Sequence, residues 1–327
     1  MGLKKHQIVL YLKGIAMGSA DVIPGVSGGT IAFISGIYEE LLTSISKLNL
    51  SALGVLKNQG VKSFWKHING TFLATLFAGI FTAIILLSSL IKYLLTHHDI
   101  LLWSFFFGLI MASVYLVGKQ VKTWNITNVV ALVVGSVCAY YITLATPTQG
   151  SENLVYIFFC GVIAITAMIL PGISGSFILL LMGTYFTVLN SISSLLSSLK
   201  NGDTTLLLSS LLLLGVFAVG CIIGLLSFSK LLSWLFKKAH DLTVAILTGF
   251  LIGSLNKVWP WKEVLETITK HAGEVKEEII PVVQKNISPW AYQELTSNPH
   301  QLMLAIVLAL LGIAIIVVLD KFSPEKS

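Results

Sequence analysis

Long apolar runs, separated by short polar turns, recur along the whole chain. A transmembrane helix needs about 20 mostly apolar residues. Runs of that kind stand at about 70–92, 100–118 and 126–146, and again at about 205–236, 241–256 and 301–319. His97-His98-Asp99 and the segment Lys119 to Asn125 are the turns of the first set. Two further apolar stretches, about 8–48 and 154–199, are interrupted by Pro24-Gly25 and by Pro171-Gly172. Proline lacks the amide N–H and disfavours helix at the residue before it, and glycine is conformationally permissive. Each interrupted stretch therefore predicts two short helices meeting at a Pro-Gly tip, as a re-entrant hairpin or as two full crossings. Residues 49–69 carry Lys57, Lys62, Trp65 and Lys66 and predict an amphipathic connection at the membrane interface.

The pattern is written twice. Asp21 to Thr30 reads DVIPGVSGGT and Ile169 to Ser176 reads ILPGISGS, with Pro24 over Pro171 at an offset of 147. At the same offset Gly14 falls on Gly161, Gly36 on Gly183, Tyr38 on Tyr185, and Ser44 to Ser46 on Ser191 to Ser193. The expected architecture is an all-α integral membrane protein of two repeats, 1–150 and 151–327. Each repeat holds a hairpin (about 8–48 and 154–199) and three spans. The second also carries a charged, partly amphipathic insertion at 257–300. A hairpin plus three spans gives an odd number of crossings whether the hairpin is re-entrant or spanning. The two repeats are therefore expected in inverted orientations.

Composition agrees with a membrane setting. The chain is 55% hydrophobic and 11% charged, with a mean hydropathy of +0.87, against about 25% charged for a soluble domain. Its 21 basic residues are all lysine. With the N-terminus inside, fourteen lysines fall on the cytoplasmic side and seven outside, five of those seven in an insertion that also holds six glutamates. The bias predicts a cytoplasmic N-terminus and a cytoplasmic C-terminus in the cell membrane. No dense basic tract points to nucleic acid. Lys13 interrupts the first apolar stretch and no small-residue cleavage site follows, so the segment is expected to be mature sequence. Cys138, Cys160 and Cys221 lie singly in apolar runs and read as packing residues.

The candidate chemistry lies at the two breaks. The first N–H groups of a helix have no partner within it and attract anions. Broken helices at matching places in two halves point to a transport site near the midplane. The residues placed to contact an anion are Ser27, Gly28, Gly29, Thr30, Ser174, Gly175 and Ser176, beside the breaks at Pro24, Gly25, Pro171 and Gly172. Glycines and serines at these places also permit close helix packing. Asp21 and Glu39 lie in apolar stretches of the first copy, where the second has Met168 and Phe186. Carboxylates inside a membrane are costly and usually functional. These two are candidates for gating or proton coupling, with capping of the break (Asp21) and an interfacial position (Glu39) as the alternatives. The seven histidines all sit at span ends or in loops and read as solvated. Trp259-Pro260-Trp261 reads as an interfacial anchor. Gly25-Val26-Ser27-Gly28 has the shape of an intramembrane serine-protease motif, but no histidine stands in mid-span to serve as base. No metal site and no cofactor are expected.

Three segments carry a resemblance to a known family. They are Gly18 to Glu40 (GSADVIPGVSGGTIAFISGIYEE), Ala167 to Tyr185 (AMILPGISGSFILLLMGTY) and Gly249 to Trp261 (GFLIGSLNKVWPW). Together they resemble the signatures of the polyprenyl-phosphate (undecaprenyl phosphate) transporters, long filed as a membrane domain of unknown function. The resemblance extends over essentially the whole chain. It implies a flippase that returns undecaprenyl phosphate from the outer to the cytoplasmic leaflet for reuse in cell-wall polymer synthesis. It also implies bilayer lipid and undecaprenyl phosphate as partners, with protons as a candidate coupling ion. The seven residues named above would be the head-group contacts, and Lys13 the nearest basic candidate. The alternatives are a secondary transporter of a small soluble anion and a membrane enzyme acting on polyprenyl phosphates.

Overall fold

The computed structural model describes residues 2–22, 26–201, 203–270 and 278–322. It begins with α1 (Gly2–Asp21), α2 (Gly28–Ile34) and α3 (Tyr38–Ser46), followed by α4 (Leu50–His67), α5 (Gly70–His97), α6 (Asp99–Gly118) and α7 (Ile126–Leu144). After a polar loop come α8 (Leu154–Ile169), α9 (Gly175–Leu181), α10 (Tyr185–Asn201), α11 (Thr204–Lys238) and α12 (His240–Ser254). Strands β1 (Lys262–Lys270) and β2 (Glu278–Asn286), then α13 (Pro289–Thr296) and α14 (Leu302–Phe322), complete it. Among the described residues α5, α6, α7 and α11 are long and apolar enough to cross a membrane. At 35 residues, α11 runs about 52 Å at 1.5 Å per residue, well beyond a hydrocarbon core of about 30 Å.

Two expectations are corrected. First, the arm after each Pro-Gly break is not one helix. It breaks again at Gly36 and at Gly183, whose φ values are +72° and +66°. That left-handed conformation suits glycine, and α9 and α10 meet there at 107°. The matching glycines marked the place, but the apolar run across it hid the turn. Second, the fold is mostly helical rather than all-α. Within 257–300, β1 and β2 form a two-stranded antiparallel sheet, pairing Lys262 with Asn286 and Ile268 with Ile280. Val264, Thr267, Ile268, Ile279, Ile280 and Val283 give the two segments their β-branched character. Pro281 is tolerated because each strand of a two-stranded sheet is an edge. The expected interfacial connection is α4, kinked at Gly60 (φ +79°).

The helices pair in a recurring way. α1 packs on α5, and α8 packs on α11. α7 packs along α12, and α14 along α6, so each of these two contacts joins an early helix to a late one. Small residues set the distance. A Cβ on Gly135 of α7 would lie 3.4 Å from the Cα of Gly249 on α12. One on Gly312 of α14 would lie 2.9 Å from the amide nitrogen of Leu109 on α6. Lipid tails are as apolar as leucine, so helices in a bilayer associate through this kind of close packing. Leu76, Ile110, Val244, Leu247, Leu251 and Ile316 fill the interior. Outward-facing residues such as Ile85, Leu86, Val130, Met303 and Val307 leave an apolar surface.

Replacing Gly249 with valine drives a side chain into the Leu132 carbonyl and Ser136 nitrogen of α7. Such overpacking costs about 1–3 kcal/mol. Gly249→Val is expected to lower the thermal unfolding midpoint in detergent, whereas Gly215→Val, on an open face of α11, leaves it unchanged.

Candidate functional site

The site is built where α8 ends. In an unbroken helix the amide of Gly172 would bond the carbonyl of Met168, four residues back. Pro171 interrupts that ladder, and Gly172 turns away at φ +87°. A Cβ there would meet the Ser254 hydroxyl and the Phe250 carbonyl of α12. Both ends of the severed bond are taken by the first motif. Ser27 Oγ donates to the Met168 carbonyl at 2.8 Å, and Gly172 N donates to Thr30 Oγ1 at 2.9 Å. The next free carbonyl, Ile169, accepts from Tyr38 Oη at 3.1 Å. Ser27 and Thr30 are each 1% exposed, so no solvent competes for these groups.

The amide groups that open α2 are also occupied. Gly28 N donates to Asp21 Oδ1 at 2.7 Å, and Gly29 N to Ser27 Oγ at 3.1 Å. The two glycines are needed for this closeness. A Cβ on Gly28 would lie 2.8 Å from Asp21 Cγ, and one on Gly29 would lie 2.6 Å from the Ile169 carbonyl oxygen. Asp21 therefore holds the position that an anion would take at the start of α2. The second motif differs. Ser174 precedes α9 without capping it, and its hydroxyl pairs with that of Ser176 at 2.8 Å.

The structure thus brings Asp21, Ser27, Gly28, Gly29, Thr30 and Gly172 into one bonded group. Ser174, Gly175 and Ser176 open the adjoining helix α9, where a Cβ on Gly175 would meet the Ala164 carbonyl of α8. Pro24 and Gly25 lie outside the described residues. Glu39 stands apart from this group. It sits in the first turn of α3, 43% exposed, with its Oε1 3.7 Å from His240 Nε2 at the start of α12. His240 is half-buried against Phe236 and Asp241 rather than freely solvated. Lys13 donates to the Ser35 carbonyl at 2.6 Å, at the C-terminal end of α2 and away from the motif. Tyr38, to which the sequence attaches no role, also joins this bonded group. Its signal was the match with Tyr185 at the shared offset, but its partner, a backbone carbonyl, leaves no mark in a sequence.

A family model described as undecaprenyl phosphate translocase-like matches residues 17–276. A protein of Vibrio cholerae serotype O1 named polyprenyl-phosphate transporter is 46% identical over 324 residues, covering 99% of both chains. A Staphylococcus aureus protein of the same name is 34% identical over 270 residues, 79% of this chain and 88% of that one. No solved structure matches the chain significantly.

Removing one hydroxyl tests the bridge between the motifs. Tyr38→Phe leaves the Ile169 carbonyl without its donor, which costs about 1–3 kcal/mol for a buried group. A lower melting temperature is expected, and a variant that melts with the wild type would show that the bridge carries no weight.

Proposed function

The chain belongs to the undecaprenyl phosphate translocase-like family, and from that premise we propose that this multi-pass membrane protein is a flippase for undecaprenyl phosphate. It returns the lipid from the outer to the cytoplasmic leaflet, for reuse in cell-wall polymer synthesis. Both relatives are named as transporters rather than enzymes. The observation that carries the reading is the bonding of one Pro-Gly-x-Ser-Gly segment to the other through Ser27–Met168 and Thr30–Gly172. A phosphate monoester is an anion suited to the N–H and hydroxyl donors gathered there, and its polyprenyl chain can remain in lipid. In this reading Ser27, Gly28, Gly29, Thr30, Ser174, Gly175 and Ser176 become the head-group contacts when the internal bonds of the first motif open.

Asp21 gives the proposal its mechanism. Its carboxylate accepts from Gly28 N, so a phosphate and an ionised Asp21 compete for the same donor. Protonating Asp21 removes its charge and frees the amide for the head group. Ionisation on the other side restores the internal bond and expels the cargo. That exchange couples one proton to one head group. Glu39 belongs to a separate gate with His240. The recurring helix pairs, α1 with α5 and α8 with α11, α7 with α12 and α14 with α6, support a reading of 1–150 and 151–327 as inverted repeats around the site, each led by a re-entrant hairpin. The lysine bias supports cytoplasmic termini.

Purified protein in vesicles carrying undecaprenyl phosphate is expected to expose outer-leaflet head groups to the opposite side, and Ser27→Ala combined with Ser174→Ala to abolish this. Vesicles that take up a soluble anion and move no lipid would overturn the reading. The proton exchange predicts faster wild-type transport as pH falls and a flat profile for Asp21→Asn; an unchanged profile in that variant removes the coupling.

A further inference from the structure

The insertion is fastened to the membrane domain at its base. Asn286, at the end of β2, donates from Nδ2 to the backbone carbonyl of Asn256 at 2.7 Å and to its Oδ1 at 2.8 Å. Asn256, just past α12, donates to Thr143 Oγ1 of α7 at 2.7 Å. Trp259 Nε1 donates to the Ile287 carbonyl at 2.9 Å, and Trp261 Nε1 to that of His300 at 2.9 Å. Beside these bonds lies a half-open cavity of about 280 Å³ lined by Tyr140, Thr143, Asn256, Lys257, Lys262 and Lys285 among others. Three lysines, three side-chain amides and two hydroxyl side chains line this space, with no carboxylate among the lining residues.

Two of these lysines are held by aromatic rings. Lys262 Nζ lies 3.9 Å from the ring centre of Trp103 on α6 and donates to the Lys257 carbonyl at 2.6 Å. Lys257 Nζ lies 4.2 Å from the ring centre of Phe177. Phe177 is the third residue of α9, so Lys257 reaches from the cavity to the second motif. Among the described residues no carboxylate is within ion-pair distance of either ammonium. Asp99, at the start of α6, exerts an opposing charge on Lys262. Burial and the Lys257 charge hold Lys262 well below the usual ammonium range, and burial brings Lys257 down to about 8. Like charges gathered in a partly buried space raise each other's cost, and an anion between them relieves it.

We infer that this cavity is an antechamber for a phosphate monoester, in which Lys257 and Lys262 capture the head group and Lys257 passes it to the Ser174–Ser176 motif. Ammonium groups recognise phosphate as point charges through charge-assisted hydrogen bonds. Lys262 has two N–H donors left after its bond to Lys257. The amides of Asn256 and Asn286 fix the walls. The Trp103, Phe107, Trp259 and Trp261 cluster beside it offers an apolar flank to the first prenyl units. The inference rests on the polyprenyl-phosphate reading above and names the entry site for that cargo.

Binding is measured on the full chain in nanodiscs, with farnesyl phosphate and inorganic phosphate as separate probes. Wild type is expected to bind farnesyl phosphate more tightly than inorganic phosphate. Lys257→Gln should weaken farnesyl phosphate binding about tenfold or more, as loss of a charged hydrogen-bond partner does. Lys257→Arg, which keeps the charge, should recover most of it, and Lys285→Gln, on the exposed rim, should have a smaller effect. Unchanged binding in both Lys257→Gln and Lys262→Gln would overturn the assignment, and equal affinity for the two probes would make the cavity a free-phosphate site instead. Failure of the function reading looks different: wild type would move no lipid in vesicles while Lys257→Gln still lost anion binding. If Lys262→Gln lowers the melting temperature through its lost bond to the Lys257 carbonyl, Lys257→Gln and its arginine rescue decide the matter alone.

Discussion

Everything in this fold turns on one requirement: a backbone interrupted inside an apolar helix bundle must find partners for the groups it frees. Hydrocarbon supplies none. The break at Pro171 releases the Met168 and Ile169 carbonyls and the Gly172 amide. Ser27, Tyr38 and Thr30, from a segment about 140 residues away, take all three. The first break is closed locally, with Asp21 on Gly28 N. The two copies of one motif therefore solve the same problem by different means, and the difference puts a carboxylate in only one of them. An apolar protein can hold such a polar knot because each donor has an acceptor, and each is shielded from competing solvent.

Much of this was legible in the sequence, and the limits follow from what kind of signal each feature leaves. Spans and Pro-Gly breaks are local, and hydropathy marks them; α6, expected over 100–118, runs Asp99–Gly118. The β-hairpin was hidden because its β-branched residues lie among glutamates and lysines that suggested an amphipathic surface. Tyr38 shows only its match with Tyr185, because its acceptor is a main-chain carbonyl. Lys257 lies in the segment GFLIGSLNKVWPW, yet nothing in its spacing indicates that it lies against Phe177, 80 positions earlier. The serines, glycines and Asp21 were readable as a group since the chain writes them together. Their actual partners, on α8, were not.

The site and the basic cavity share one support. α12 presents Phe250 and Ser254 to the turn at Gly172 and then leads directly into Asn256 and Lys257. A shift of α12 along α7 therefore moves the turn and the cavity floor together. His240, at the other end of the same helix, faces Glu39 of α3. One helix thus touches the second motif, the insertion and the α3 carboxylate, and it is gripped along its length by α7 through Gly135 and Gly249.

The crossed pairing of α7 with α12 and α6 with α14 also bears on how the molecule is made. Chains enter the membrane from the N-terminus as they are synthesised. When α6 and α7 have been inserted, the helices they will grip do not yet exist. Gly108 of α6, where a Cβ would meet the Ala309 carbonyl of α14, has no partner there until α14 arrives, and lipid tails fit such a notch poorly. The amino-terminal half is thus an assembly intermediate with two unfinished seams, closed in the order α12 and then α14. The contact of α6 with α14 therefore forms only once α14 has been made, and until then α6 waits with an unfilled seam.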